Sequence, residues 1–194
     1  MSDHGEMNGD HGLYWKGAYF YEALVHIPLI LMGYLNPIMK FGFEAFCQKC
    51  VECGIDGVII PDLPFKDYEE TYKPIADRYD IRVIMLITPE TSEARVREID
   101  EHTDGFIYMV SSAATTGAQK DFDSQKQAYF KKIQDMHLRN PRMVGFGISN
   151  KQTFDAACAN SSGAIIGSRF VTLLNEAEGD AEKAITQLKE NVGR

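Results

Sequence analysis

What this sequence lacks narrows it first. There is no surplus of positive charge: 20 Lys and Arg stand against 28 Asp and Glu, a formal net charge of -8. A nucleic-acid backbone repels such a chain on average, which argues against nucleic acid as a partner. A small anion remains possible, because backbone dipoles hold phosphate without net positive charge. No apolar run approaches the ~20 residues that cross a membrane. The N-terminus lacks the basic stretch and apolar stretch of a signal peptide. Cysteines number only four, Cys47, Cys50, Cys53 and Cys158, and three of them crowd into one short stretch. That spacing suits no disulfide framework, and the cytoplasm, with no membrane partner, is the simplest location.

Cys47-x-x-Cys50-x-x-Cys53 invites an iron–sulfur reading. A cluster needs a further ligand nearby, and Cys158 is far off in sequence. The same stretch fits an amphipathic helix in which Cys acts as a small hydrophobe, so no metal is expected.

What is present reads as one globular domain. The chain has 194 residues, 44% hydrophobic and 25% charged, near the average for soluble proteins. From Pro28 onward, apolar runs alternate with amphipathic stretches. The runs are Pro28–Met32, Asp56–Ile60, Arg82–Ile87, Gly105–Val110, Arg142–Phe146 and Gly163–Ile166. They lack polar alternation and end in turn residues, as fully buried parallel strands do. Between them, Phe43, Phe46, Cys47 and Cys50 share one helical face, and Tyr68, Tyr72, Ile75 and Tyr79 another. Thr91 or Ser92 is placed to cap a helix through Ile99, Ser124 to start one through Ile133, and Asn150 one through Ala157. A last helix carries Ala184, Ile185 and Leu188.

The spacing predicts an α/β fold with a parallel sheet, open or barrel-shaped. Residues 28–194 hold six strand–helix units of about 28 residues each, whereas eight such units need roughly 224 residues. The expectation is an incomplete (β/α)8 TIM barrel of about six units, residues 28–194, behind an irregular segment, residues 1–27. In that segment Met1–Gly12 is polar, Tyr14–Tyr21 is aromatic-rich and Tyr19–Val25 has room for a short helix.

Three glycine-containing strand ends cluster late in the chain. Thr115-Thr116-Gly117-Ala118 follows the fourth run, Gly145-Phe146-Gly147-Ile148-Ser149 closes the fifth, and Gly167-Ser168-Arg169-Phe170 follows the sixth and opens a helical stretch. In barrels, loops after late strands and the N-terminus of a short extra helix form a phosphate site. Glycine admits the anion close to backbone N–H groups, and the helix dipole favours its charge. Any one of these glycines alone reads more readily as a tight turn; three together point to phosphate.

Leu31-Met32-Gly33-Tyr34-Leu35-Asn36-Pro37, Gly57-Val58-Ile59-Ile60-Pro61-Asp62-Leu63-Pro64, Thr115-Thr116-Gly117-Ala118 and Gly145-Phe146-Gly147-Ile148-Ser149 occur in this order. Together they closely resemble the tryptophan synthase α subunit, from about Pro28 to the C-terminus. The resemblance implies a (β/α)8 barrel and a carbon–carbon lyase of tryptophan biosynthesis. Such a lyase cleaves indole-3-glycerol phosphate to indole and glyceraldehyde 3-phosphate and passes indole to a β subunit. It implies no cofactor in this chain, since pyridoxal phosphate belongs to the β subunit. It further implies that Thr116, Gly117, Gly147, Gly167 and Ser168 surround the substrate phosphate and that Tyr108 lines the site. Tyr34 and Phe146 would flank the indole, and Asn36, Pro37, Asp62 and Pro64 would face the β subunit.

The same resemblance implies a general acid/base glutamate on the second strand and an aspartate in the loop after it. Both belong to a Pro-Phe-Ser-Asp-Pro-like segment ahead of what aligns with Pro28, and no such segment occurs here. Glu6, Glu22, Asp3 and Asp10 are carboxylates with nothing to place them on a barrel strand. No catalytic residue of that pair is retained. Ser2-Asp3-His4-Gly5-Glu6, Gly9-Asp10-His11-Gly12, Lys16 and Tyr21-Glu22 resemble a piece of a sulfatase of the alkaline-phosphatase superfamily. That resemblance maps a metal-binding pair onto Asp3 and His4 and a sulfate-binding Lys onto Lys16. Its nucleophile motif is absent, and a polar tail without function is the favoured reading. The chain thus reads as a hybrid with a crossover near Val25–Ile30, an α-type lyase impaired by loss of its acid/base pair. The alternatives are a non-catalytic fragment of a chimeric gene that binds phosphate or the β subunit, and another phosphate-binding barrel such as a sugar-phosphate isomerase.

Overall fold

The computed structural model describes residues 27–110, 119–145 and 147–193. Each of the six apolar runs contributes strand. They are β1 (Ile30–Met32), β2 (Gly57–Ile59), β3 (Arg82–Ile84) with β4 (Leu86–Ile87), β5 (Ile107–Val110), β6 (Arg142–Gly145) and β7 (Gly163–Ala164). All pair in parallel, in the order β1-β2-β3 and β4-β5-β6-β7. The run Arg82–Ile87, expected as one strand, divides at Met85: its first half pairs with β2 and its second with β5. The Met85 carbonyl still accepts from the Tyr108 N–H at 3.0 Å. Among the described residues β1 pairs only with β2, and β7 only with β6.

Eight helical stretches connect the described strands. They are α1 (Leu35–Phe41), α2 (Phe43–Glu52), α3 (residues 65–78), α4 (Glu93–His102), α5 (Gln119–Asp135), α6 (Lys151–Cys158), α7 (Ser168–Glu176) and α8 (Ala181–Asn191). Within α3 a π-helical turn, Tyr68–Tyr72, separates Phe65–Asp67 from Lys73–Arg78. Pro74 supplies the cause: it has no N–H for an i→i−4 bond and its ring crowds the preceding turn, so the turn widens.

Local sequence sets several helix starts. The Ser92 hydroxyl accepts from Arg95 N–H at 3.3 Å. Thr91 instead accepts from Thr88 N–H at 2.9 Å, in the turn before the helix. Asn150 and Thr153 form a reciprocal capping box at α6. Asp180 caps α8 through Lys183 N–H at 3.0 Å. Ser124 does not start α5; that helix begins at Gln119 and runs through it, because no glycine or proline separates the two positions and serine is tolerated inside a helix.

The sheet's alternating side chains divide into two faces. Val58, Ile60, Val83, Met85, Ile87, Ile107, Met109 and Val144 pack against Cys47, Cys50, Ala76, Val96, Ile99, Phe130, Ile133 and Ala157 from the helices. Among the described residues the opposite face buries only Ile59, Ile84 and Tyr108, with Ile30, Leu86, Phe106, Val110 and Ile165 partly covered around them. Parallel strands with helices on one face and side chains gathered on the other are the arrangement of a (β/α)8 barrel, here incomplete. A polar clasp fixes its lower end. The buried Asp100 carboxylate accepts from Arg139 N–H at 2.7 Å and from Asn140 N–H and Nδ2 at 2.8 and 3.0 Å. Arg139 Nη2 and Asn140 Nδ2 donate in turn to the Asp100 and Thr103 carbonyls, satisfying the C-terminus of α4.

Candidate functional site

The carboxyl ends of the strands carry the residues that the sequence singled out. After β1, Gly33 N–H donates to the Ile59 carbonyl at 3.0 Å, extending the ladder by one step. Tyr34 follows in extended conformation as the N-cap of α1, with no side-chain cap bond, and it is 67% exposed. Asn36 and Pro37 lie exposed in the first turn of α1, where proline's missing N–H costs nothing. After β2, Asp62 is exposed, and its Oδ1 accepts from Leu35 N–H at 2.8 Å. Pro64, also exposed, starts the helical run α3 at φ -65.

Tyr108 lies in β5 on the helix-free face and is buried. Burial pushes its phenol above the usual range. Its ring stands directly against Gly145 of β6: a Cβ there would come 2.0 Å from the Tyr108 hydroxyl oxygen. The seat is glycine because nothing larger leaves the ring where it is. Sequence reading quoted Gly145 only as part of a turn motif. Its role depends on the pairing of β5 with β6, Tyr108 opposite Met143 and Val110 opposite Gly145, which no local signal reveals.

Gly147 and Gly167 occupy equivalent places. Met143 and Gly163 are register partners in β6 and β7, and each of the two glycines follows its strand's partner by four positions. Gly147 has φ +76, which favours glycine, and a Cβ at either residue would meet nothing within 4 Å. Gly167 is the N-cap of α7, which has no side-chain cap and no acidic residue in its first turn. Ser168, exposed, is the first residue of that helix. An uncompensated helix N-terminus can receive an anion through backbone N–H groups, and an open glycine lets it approach the backbone closely. Thr116, Gly117 and Phe146 lie outside the described residues, as do Asp3, His4 and Lys16.

Two of the three clustered cysteines serve packing. Cys47 and Cys50 are fully buried on the inner side of α2, and Cys53 is exposed at its end. Burial is the main cause that raises both inner thiols, Cys47 to about 11. Among the described residues no group of three or more His, Cys, Asp or Glu side chains can hold a metal ion. No helix among them is long and apolar enough to cross a membrane.

A parallel sheet, helices along one face and glycine turns at the strands' carboxyl ends define the (β/α)8-barrel class. Comparison narrows it: the profile of the tryptophan synthase alpha chain family matches residues 17–194, and the chain belongs to that family. The match begins at Gly17, inside the stretch that sequence reading had set apart from the barrel. The tryptophan synthase alpha chain of Bacteroides fragilis is 80% identical over 165 residues, 85% of this chain and 62% of the relative. That of Bacteroides thetaiotaomicron is 78% identical over 166 residues, 86% of this chain and 64% of the relative. The chain therefore spans a little under two thirds of the length of these curated relatives. Among solved structures, the Pyrococcus furiosus tryptophan synthase A-subunit superposes with a TM-score of 0.73 at 28% identity, covering 86% of this chain and 67% of that one. The Campylobacter jejuni α subunit does so with a TM-score of 0.71 at 30% identity, covering 84% and 64%.

Proposed function

We propose that this chain is an α-type lyase component of tryptophan biosynthesis that binds indole-3-glycerol phosphate, with the phosphate held at Gly147, Gly167 and Ser168. Thr116 and Gly117, which follow β5 in the sequence, complete that cradle. Tyr34 and Phe146 flank the indole, and Tyr108 lines the site between the two ends. Asn36, Pro37, Asp62 and Pro64 face a β subunit, which carries the pyridoxal phosphate; this chain binds no cofactor of its own. Its place is the cytoplasm. The observation that carries the reading is the pair of open glycine turns at matched positions beyond β6 and β7, beside the uncapped start of α7.

Cleavage of indole-3-glycerol phosphate to indole and glyceraldehyde 3-phosphate needs a proton moved onto the indole ring and another taken from the side chain. None of the chain's residues matches the family's Glu/Asp pair that does this. General acid–base catalysis contributes ~10²–10⁴-fold, so this polypeptide is expected to release indole at least about 10³-fold more slowly than a complete α subunit. An indole-release assay with and without β subunit, in material free of host enzyme, measures it; turnover matching a complete subunit overturns the impairment. Phosphate binding is tested separately. Glycerol 3-phosphate at millimolar concentration should shift the Gly147, Gly167 and Ser168 amides by NMR, and unmoved amides refute the site.

The missing pair also favours a second reading: a non-catalytic chain of a chimeric gene that binds phosphate or the β subunit, with a sulfatase-like segment ahead of the family match at Gly17. Amide shifts without indole release select it. Genomic sequence read across codons 20–35 decides whether one gene encodes both segments.

A further inference from the structure

We propose that Asp62 is a positioning residue that fixes the β1–α1 loop and with it the place of Tyr34. The proposal rests on the functional reading above and adds the residue that holds its indole side.

Helix α1 does not cap itself. Tyr34 at its N-cap makes no side-chain cap bond, and its first turn holds no acidic residue. The missing acceptor comes from the neighbouring strand's loop: Asp62 Oδ1 receives the Leu35 N–H at 2.8 Å across 27 positions of sequence. A carboxylate there satisfies an orphan donor and complements the helix dipole. On the other side of Tyr34, Gly33 N–H is bonded to the Ile59 carbonyl at 3.0 Å. Tyr34 thus hangs between two backbone ties to the β2 segment. At 67% exposure its ring has little packing to hold it, so these ties, which fix the backbone on either side, set the position from which the ring extends.

The strand below is fixed by the same device. Asp56 Oδ2 accepts from Leu29 N–H at 2.8 Å, while the Asp56 N–H donates to the Leu29 carbonyl at 2.9 Å. An edge strand with one described neighbour is therefore clamped to β2 by a carboxylate at each end. Asn36 and Pro37 sit one and two positions beyond the Leu35 tie, on the same turn.

Two variants separate positioning from general stability. In Asp62→Ala the tie is lost; Asp62→Asn keeps an acceptor oxygen. Leu35 amide exchange should accelerate at least about tenfold in Asp62→Ala and much less in Asp62→Asn, the scale of one lost hydrogen bond. Affinity for indole-3-glycerol phosphate should fall about fivefold in Asp62→Ala and recover in Asp62→Asn. Affinity for glycerol 3-phosphate, which lacks the indole, should not change in either. Unaltered Leu35 exchange overturns the proposal, as does an equal loss for both ligands or a failure of the Asn variant to recover. If the unsubstituted protein binds neither ligand, the functional reading falls and with it the role of Asp62 toward the indole. The exchange result then still decides whether Asp62 holds the loop.

Discussion

The same strands build both faces of the sheet, but the two faces are finished to different degrees. On the helix-covered face Val58, Ile87, Ile107, Met109 and Val144 are at most 1% exposed. On the other, Met32 next to the Ile30 cluster is 50% exposed, and Leu86, Phe106, Val110 and Ile165 are only partly buried. Away from β1, whose Leu31 is 42% exposed, the helix-covered face is completed locally, since each strand brings the helix that covers it. A barrel interior is completed only by side chains from all around the ring. The outer core is thus expected to hold the fold, and the inner face to tolerate change.

The largest test of that contrast is a pair of truncations. Ile87→Ala, in the outer core, should cost about 2–5 kcal/mol of unfolding free energy, through lost burial and a cavity. Met32→Ala should cost less than about 0.5 kcal/mol. Urea titrations measure both, and comparable losses would mean that the inner face is covered after all. Next in size is Gly145→Ala. The new methyl lands on the Tyr108 hydroxyl, and a buried ring forced to move costs about 1–3 kcal/mol. A smaller loss, accompanied by a Tyr108 phenol that titrates normally, would show the ring swinging out into open space.

Alkaline pH probes both faces, the outer core first. Cys47 is raised from 9.0 to about 11, chiefly by burial. Its neutral thiol contributes stability that is complete below pH ~9 and is lost as pH climbs through the folded value. Stability should fall over that window by up to about 1.4 kcal/mol per pH unit from this group. Cys47→Ala should remove that part of the slope. Cys50, Tyr68, Tyr108 and Tyr129, also raised by burial, leave a residual fall that begins near pH ~9 with Cys50 and continues through the tyrosines. The smallest expected energetic effect is at the β1 edge. Leu29, Leu31 and Met32 are exposed there, and open apolar edges favour self-association. Leu31→Lys should change stability by no more than about 0.5 kcal/mol, yet reduce apolar-dye binding and concentration-dependent sedimentation. A protein that is monomeric and dye-silent before substitution would show the edge to be closed.

Legibility in the sequence followed the range of each interaction. The six strand positions were readable because burial on both faces leaves unbroken runs such as Arg82–Ile87. The division of that run at Met85 was not, because it depends on which neighbours the two halves meet. Ser92, Asn150 and the α2 cysteines were readable, since capping and helical burial act within a few residues. Asp62 drew notice only through a family resemblance that turned it toward a partner; its bond to Leu35 crosses 27 positions. Gly147 and Gly167 were marked as anion-binding turns, but their matched offset needed the β6–β7 register. Asp100 drew no notice at all, since its partners Arg139 and Asn140 lie 39 and 40 positions away.

The sequence by itself determined the units of this protein: where strands and helices form, how several helices begin, and which loops carry glycine. Periodicity, capping and turn chemistry act between near neighbours in the chain. Only the tertiary structure decided how those units lock together: the Asp56 and Asp62 ties, the Asp100 clasp, the seating of Tyr108 on Gly145 and the unequal finish of the two faces. Each of these depends on strand register and on which segments become neighbours in space, and that is fixed by the packing of the whole sheet rather than by any stretch of residues.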